Sequence, residues 1–286
     1  MRTEVQGPKA ISGLREIVDQ FDVFFLDQFG VLHDGKKPYP GVLDAIVRLH
    51  QMEKRLVVIT NSGKRAEPNL KRLSEMGFPK SAIHSVVSSG EVAWRGIESR
   101  SFGSPFLSGA KGFIIGRQED DYQFHDLGLQ FVEKPEAAEF ILILGSDAPR
   151  RSMAEYRQLL KKAAKIGVPT LCANPDIWMI TRDGLVPAPG AIAEMYKKLG
   201  GPVRYVGKPY GDIYQLALAS SSAKTKERVA AVGDSVEHDI RGAVNFEVAS
   251  ILVRSGVLAD IKPDELGQIY SDHSAWPNYL VSKFQW

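Results

Sequence analysis

The stretch Phe21-Asp-Val-Phe-Phe-Leu-Asp27-Gln-Phe-Gly-Val-Leu-His-Asp-Gly35 decides how the rest of the chain is read. Val23 to Leu26 form a short, unbroken apolar run, the pattern of a strand covered on both faces in a parallel sheet. Asp27 follows with no turn residue between, so a carboxylate is left at the strand's carboxyl end. In open α/β sheets ligands bind at that edge, near the point where strand order reverses, which makes Asp27 a candidate nucleophile or metal ligand. Taken alone, it could be a turn or cap aspartate, a common use of Asp after a strand. Three later stretches weigh against that plainer reading.

Composition bounds the answer. The 286 residues are 44% hydrophobic and 24% charged. At this length single cores stop growing, so two domains, or a core with a large insertion, are expected. A net charge of +2, from 36 Lys and Arg against 34 Asp and Glu, gives no strong field. With no basic block either, the expectation is no nucleic acid and no membrane surface as partner. The single cysteine, Cys172, excludes an intrachain disulfide and a multi-cysteine metal site; it suits a reducing compartment and reads as a small buried apolar residue. Arg2, Glu4, Arg15, Glu16 and Asp19 interrupt the N-terminal stretch, which therefore lacks a signal peptide's apolar run. No segment approaches the ~20 apolar residues that cross a bilayer. A cytoplasmic location is the expectation.

Leu14, Ile17, Val18 and Phe21 fall at helical spacing and predict a lead-in helix. Gly35, Pro38, Pro40 and Gly41 predict a loop over the strand end. Helices are then expected over Gly41–Met52, from Asn61-Ser-Gly-Lys-Arg65 to about Met76, and over Gly90–Ser99, with strands at Arg55–Thr60 and Ile83–Ser88. Ser99–Gly112 reads as a linker. Beyond it come a strand at Gly112–Gly116, a helix at Glu119–Leu127, a strand at Phe140–Gly145, a helix at Arg150–Ile166 and a strand at Pro169–Ala173, an α/β unit of its own. Pro187-Ala-Pro-Gly190 marks the return, followed by a helix at Ala191–Leu199, a strand at Val203–Val206, a helix at Asp212–Ala219, and strands at Arg228–Asp234 and Ser250–Val253. Strict alternation implies parallel strands with right-handed crossovers. The fold class is thus α/β, a doubly wound Rossmann-like parallel sheet core built from both chain ends, with a second α/β domain inserted. Boundaries are expected at 1–105 and 188–286 for the core and 106–187 for the insertion.

Four separated stretches place polar residues at or beside strand ends: Asp27, Thr60-Asn61-Ser62, Lys208, and Asp234 with Asp239. Parallel strands bring those ends to one sheet edge. Carboxylates gathered there repel unless a cation joins them, and all-oxygen ligation suits Mg²⁺, which takes few carboxylates plus waters and a phosphate. Thr60, Asn61 and Ser62 open a helix, where backbone N–H groups and the dipole favour an anion. Lys208 adds a point charge for a phosphoryl group. The chemistry implied is attack by a carboxylate on phosphorus, assisted electrostatically. Singly, Thr60 could be an N-cap, Lys208 a solvated lysine and Asp239 the cap of the following helix. Jointly, with the spacing Gly233-Asp234-x-x-x-x-Asp239, coincidence is the weaker account.

The motifs Leu26-Asp27-x-x-Gly30-Val31-Leu32, Ile59-Thr60-Asn61, Asn174-Pro175-Asp176, Gly207-Lys208-Pro209 and Gly233-Asp234 through Asp239-Ile240 span nearly the whole chain. In this order they resemble the haloacid dehalogenase (HAD) superfamily of aspartate-nucleophile hydrolases. The similarity is to the class IIA branch, with a large α/β cap between the second and third motifs. That branch includes sugar and nucleotide phosphatases and nitrophenyl-phosphatase-like and pyridoxal-phosphatase-like proteins. The resemblance implies a phosphomonoester hydrolase acting on a small phosphorylated metabolite, with Asp27 as the nucleophile that forms an aspartyl-phosphate and also binds Mg²⁺. It implies that Thr60, Asn61 and Ser62 hold the phosphoryl group and that Lys208 neutralises it together with Asp27. Asp234 and the Phe29 backbone carbonyl would ligate the metal, with Asp239 supporting its water shell. The loop His33 to Pro40 matches the family's flap, and Asn174, Asp176 and Trp178 become candidate specificity residues of the cap, with a turn carrying a partly buried tryptophan as the equal alternative. Capped relatives often dimerise through the cap, so a homodimer is a further expectation of the resemblance.

One position departs from the family pattern. Its phosphatases usually carry a second aspartate two residues after the nucleophile, as general acid and base, where this chain has Phe29. Such catalysis typically contributes 10²–10⁴-fold, or roughly 3–5 kcal/mol. His238 is a candidate substitute acid, or an exposed helix-start histidine. An aromatic residue here is also similar to the superfamily's metal-independent dehalogenases, although these have no evident need for Asp234 and Asp239. A third reading is a low-activity protein that binds phosphate ligands.

Overall fold

The structure, a computed structural model, describes residues 7–148, 150–181 and 184–286; Arg2 and Glu4, used above, lie outside them. The first described elements are a short strand, β1 (Lys9–Ile11), and two single helical turns, Leu14–Glu16 and Val18–Gln20. The expected continuous lead-in helix is therefore broken. Tertiary anchoring overrides the helical spacing, since Leu14 N–H donates to the Gln285 carbonyl and Leu14, Ile17 and Val18 are all buried. Next come β2 (Val23–Leu26), α1 (Val42–Gln51), β3 (Arg55–Thr60), α2 (Ala66–Glu75), β4 (Ser85–Ser88) and α3 (Ser89–Glu98). A second group follows: β5 (Lys111–Ile115), β6 (Gln130–Phe131), β7 (Phe140–Ile143), α4 (Met153–Lys165), β8 (Thr170–Cys172), β9 (Trp178–Thr181), β10 (Gly184–Pro187), α5 (Pro189–Lys198) and β11 (Val203–Tyr205). The last are α6 (Gly211–Ser221), β12 (Val229–Gly233), α7 (Arg241–Phe246), β13 (Ala249–Val253), α8 (Leu266–His273) and β14 (Tyr279–Val281). Among the described residues no helix is long and apolar enough to cross a membrane.

The described residues divide into two compact units, one from 7–60, Leu70–Val87 and Lys208–Trp286, the other from Asn61–Asn69 and Ser88–Gly207. The first holds a seven-stranded sheet in the order β1-β14-β13-β12-β2-β3-β4. From β1 to β3 every adjacent pair is parallel. The chain runs outward from β2 on one side and from β12 on the other, so strand order reverses between them and the sheet is doubly wound. Leu26 lies in register with Val232 on β12 and with Val58 on β3. The last residue of β2 therefore lies one residue short of the end of β12 and two short of the end of β3. Phe24, Phe25, Leu56, Val57, Val229 and Ile251 are fully buried in this sheet, each such side chain contributing about 1.5–3 kcal/mol.

The second unit has a five-stranded parallel sheet, β11-β8-β7-β5-β6, and a separate antiparallel hairpin of β9 and β10. Its core joins Ile141, Ile143 and Cys172 to Tyr156 and Leu160 of α4 and to Ile192 and Tyr196 of α5. A Ser152–Glu155 capping box starts α4. The strand read as Val203–Val206 of the core is β11, and it pairs with β8 of this second sheet. Residues 88–105 and 188–207 accordingly group with the second unit, and the chain re-enters the first at Lys208.

The helix expected over Glu119–Leu127 is a loop with one turn at its end, His125–Leu127. Gln123 N–H donates to the Asp121 side chain and Gln123 takes φ +57°, so a local side-chain bond replaces the helical one. The β9–β10 hairpin, α8 and β14 had no counterpart in the sequence reading.

Candidate active site

The site begins with backbone. Asp27 N–H donates to the Val232 carbonyl at 2.9 Å, which extends the β2–β12 ladder one residue past Leu26 and fixes where the Asp27 side chain leaves the sheet. Asp234 follows the last residue of β12 directly, and Ser235 caps a wide helical turn, Val236–Ile240, that carries Asp239 back over the strand end. Lys208 Nζ donates to Asp27 Oδ1 at 2.5 Å and to Asp239 Oδ1 at 2.7 Å. All four side chains are buried, and one oxygen from each of the three carboxylates lies within 4.8 Å of the others. The plainer readings of Lys208 as solvated and of Asp239 as a cap do not describe this arrangement.

One ammonium serves three acids. Burial holds the Asp27 carboxyl well above the usual range against the pull of Lys208, and Asp239 and Asp234 push the same way. Burial and the Asp239 charge raise Asp234 to about 7. For Lys208 burial works against the charge, but Asp239 and Asp27 outweigh it and hold the ammonium above its ordinary value. With every group ionised, three carboxylates against one ammonium leave two uncompensated negative charges. A buried, all-oxygen donor set with that deficit fits a hard divalent cation.

Small residues hold the carboxylates in place. A Cβ on Gly30, which has φ +87°, would lie 2.1 Å from Asp234 Oδ2, and one on Gly256 only 1.8 Å from the same atom. Val257 N–H donates to Asp234 Oδ2 at 2.7 Å, and Ser255 Oγ donates to the Gly30 carbonyl at 2.7 Å. Ser235 N–H donates to Asp239 Oδ2 at 3.1 Å, while Tyr214 Oη donates to the Asp239 carbonyl at 3.2 Å. Sequence reasoning missed the Ser255–Val257 loop and Tyr214. The available signal was a Ser-Gly pair just past the apolar strand Ile251–Val253, the counterpart of Gly30 past β2.

The remaining predicted residues are placed as follows. Thr60 ends β3, two residues beyond the Val58 that pairs with Leu26. Asn61 and Ser62 follow it in the chain and group with the second unit, where Asn61 Nδ2 donates to Asp176 Oδ1 at 2.8 Å and the Ser62 carbonyl accepts from Gly90 N–H. Asn174 Oδ1 accepts from Asp176 N–H at 3.0 Å. Trp178 opens β9 with its side chain 61% exposed. His238 Nδ1 lies 3.2 Å from Ser235 Oγ. In the loop His33–Pro40, buried His33 accepts from Gly35 N–H at Nδ1, and Arg72 donates to the Gly35 carbonyl. Phe29 is 40% exposed and meets His33 edge to face at 6.1 Å.

Comparison with known proteins agrees with this construction. A family model described as haloacid dehalogenase-like hydrolase matches residues 24–130, and a second, HAD-hydrolase-like, matches 205–284. The chain belongs to the haloacid dehalogenase-like hydrolases. It is 26% identical to a 4-nitrophenylphosphatase of Schizosaccharomyces pombe over 98% of this chain and 97% of that one. It is 25% identical to an acid sugar phosphatase of Staphylococcus aureus over 88% and 94% of the two chains. Among solved structures, a haloacid dehalogenase-like hydrolase from Brucella suis superposes with a TM-score of 0.80 at 25% identity, over 96% of this chain and 99% of that one.

Proposed function

We propose that this protein is a Mg²⁺-dependent phosphomonoester hydrolase that cleaves a small phosphorylated metabolite, a sugar phosphate or related ester, through an aspartyl-phosphate on Asp27. The observation that carries this reading is the Lys208 ammonium held between Asp27 and Asp239, with Asp234 completing the acidic cluster. The relatives named for nitrophenyl and sugar phosphates support the substrate class. In the first step an Asp27 oxygen attacks phosphorus, the P–O bond to the leaving alcohol breaks, and the alkoxide takes up a proton. In the second, water attacks the phosphorus of the acyl phosphate, freeing phosphate and restoring the Asp27 carboxylate. Lys208 stabilises charge on the nucleophile and on the phosphoryl oxygens. Thr60 and its chain neighbours Asn61 and Ser62 supply donors to the phosphoryl group, and exposed Trp178 is the candidate for substrate selection. Asp27, Asp234 and the Phe29 carbonyl would hold Mg²⁺, with Asp239 on its water shell; when bound, the ion neutralises the acids and polarises the phosphoryl group.

The test is hydrolysis of 4-nitrophenyl phosphate with Mg²⁺ and in excess chelator, for wild type and Asp27→Asn. Turnover that needs both Mg²⁺ and Asp27 supports the proposal. Full activity in chelator would favour dehalogenase-type chemistry, and tight phosphate binding without turnover would favour a ligand-binding protein.

A further inference from the structure

We propose that Asp176 is a positioning residue that fixes the Asn61 carboxamide, and through it the phosphate-binding loop, instead of selecting the substrate. The consequence for catalysis rests on the phosphatase reading above; the positioning itself rests on geometry within the second unit. Asn61 is buried, and both ends of its amide are engaged there. Its Nδ2 donates to Asp176 Oδ1 at 2.8 Å, and its Oδ1 accepts from Ser89 Oγ at 3.3 Å. The Asp176 carboxylate only accepts, so it draws the amide N–H toward itself and leaves Oδ1 facing the Ser89 hydroxyl, which can donate or accept. A carboxylate there makes a charge-assisted bond, stronger than a neutral one.

Asp176 is itself held. Its own N–H donates to Asn174 Oδ1 at 3.0 Å, closing a tight Asx turn around Pro175. Gly190 N–H donates to the Asp176 carbonyl at 2.9 Å, and a Cβ on Gly190 would lie 2.1 Å from the Pro175 carbonyl oxygen. Gly207, at φ +109°, closes the other side, for a Cβ there would lie 2.2 Å from Ser89 Oγ and 2.8 Å from Asn61 Oδ1. The loop after Asn61 is confined as tightly, since a Cβ on Gly63 would come within 1.9 Å of the Leu144 carbonyl oxygen. Asn174 and Asp176 thus direct their polar groups at the backbone turn and at Asn61, which accounts for an Asn-Pro-Asp motif far from Thr60-Asn61 in sequence.

Asp176→Ala and Asp176→Asn test this, each checked for folding by thermal unfolding. Removing the acceptor should raise KM for every phosphate ester, and weaken inhibition by orthovanadate, by a similar factor of about 10–100, the effect of losing a hydrogen bond to a charged group. Asp176→Asn retains an acceptor oxygen and should recover most of that loss. The ratio of kcat/KM between 4-nitrophenyl phosphate and a sugar phosphate should stay the same in both variants. A changed ratio would overturn the proposal and make Asp176 a substrate contact. A second readout does not need turnover. In ¹⁵N-labelled protein the Asn61 side-chain amide should exchange slowly with solvent in wild type and Asp176→Asn, and fast in Asp176→Ala. Unchanged protection in Asp176→Ala would overturn the positioning role even if the wild type cleaves no phosphate ester, a result that by itself would sink only the phosphatase reading.

Discussion

Phe29 places an apolar ring where the resemblance leads one to expect a proton donor. The ring packs edge-on against His33, and a Cβ on Gly35 would come within 2.8 Å of it, so it fills the space beneath the loop. His33 does not replace the missing acid: burial, with Arg72 adding to it, lowers its pKa to about 4, and it is neutral near pH 7. Cleavage should therefore depend steeply on the acidity of the leaving group, with nitrophenyl and acyl phosphates cut far faster than alkyl sugar phosphates. In the two-step reaction proposed above, hydrolysis of the aspartyl-phosphate would lack its base as well. Rapid-mixing assays with an activated ester should show a burst of product followed by slow turnover. Phe29→Asp should raise the steady-state rate by about 10-fold or more if the carboxylate adopts the needed rotamer, within the range general acid–base catalysis supplies. If wild type cleaves alkyl esters as fast as aryl ones without a burst, another acid is present. His238, whose ring lies beside Ser235 Oγ one residue from Asp234, is then the first side chain to replace.

The elements that frame the acids make two further predictions. Gly256→Ala puts a methyl group 1.8 Å from Asp234 Oδ2 and 2.7 Å from Gly30 Cα, so the carboxylate or the loop must move. The expected result is weaker Mg²⁺ binding by titration calorimetry and a stability loss of about 1–3 kcal/mol, the usual cost of overpacking; unchanged affinity would show that the loop does not set Asp234. In the second unit, Glu91 at the start of α3 gathers Arg65, Arg95 and the Ala66 N–H. Burial opposes its charge, but the bonds from Arg65, Arg95 and Ala66 outweigh burial and set the carboxyl below its ordinary 4.5. A depressed carboxylate contributes stability that is complete above the unfolded value and is lost as pH falls through the folded one. Urea midpoints should therefore drop below about pH 4.5 more steeply in wild type than in Glu91→Gln, which should already be the weaker of the two at pH 7. Parallel curves would remove Glu91 from the acid response. These framing residues also mark how far the sequence could be read. Asp27, Asp234 and Asp239 could be gathered in advance because parallel strands bring the carboxyl ends of β2 and β12 to one edge, and apolar runs ending in Asp betray those ends; Lys208 joins them by another route, since the strand before it belongs to the second sheet. The Ser255–Val257 loop was missed because it contributes a hydroxyl, a backbone N–H and the absence of a Cβ, which leave only a Ser-Gly pair and no charged residue to notice. The Glu119–Leu127 helix failed where Asp121 offered the chain a competing bond. The allegiance of Val203–Tyr205 was hidden because three strand residues fit either sheet, and only pairing with β8 decides between them.

For the whole chain, the acidic cluster is a local deficit in a nearly balanced molecule. The net charge is +2, yet three carboxylates and one ammonium are buried together. Folded proteins keep only about 5–15 kcal/mol of net stability, so crowding like charges in a buried site takes a measurable share. A cation that binds the folded chain alone returns it, by about 2.7 kcal/mol at a hundredfold excess over Kd. In a chain of about this size each kcal/mol moves Tm by roughly 2–4 °C, so saturating Mg²⁺ should raise the wild-type Tm by about 5–10 °C over excess chelator. Asp234→Asn removes one charge and keeps an oxygen able to accept from Val257 N–H, the bond that Asp234 makes now. In chelator this variant should melt at or above the wild-type temperature, because repulsion is relieved while the packing against Gly30 and Gly256 is retained. In Mg²⁺ the order should invert, since the variant lacks the second carboxylate the ion needs and should gain no more than about 2 °C. Phosphatase activity should be lost in the same variant although its fold is intact. A wild type whose melting ignores Mg²⁺, or a variant that gains as much from it, would show that the cluster is not a metal site and that Lys208 alone balances the acids.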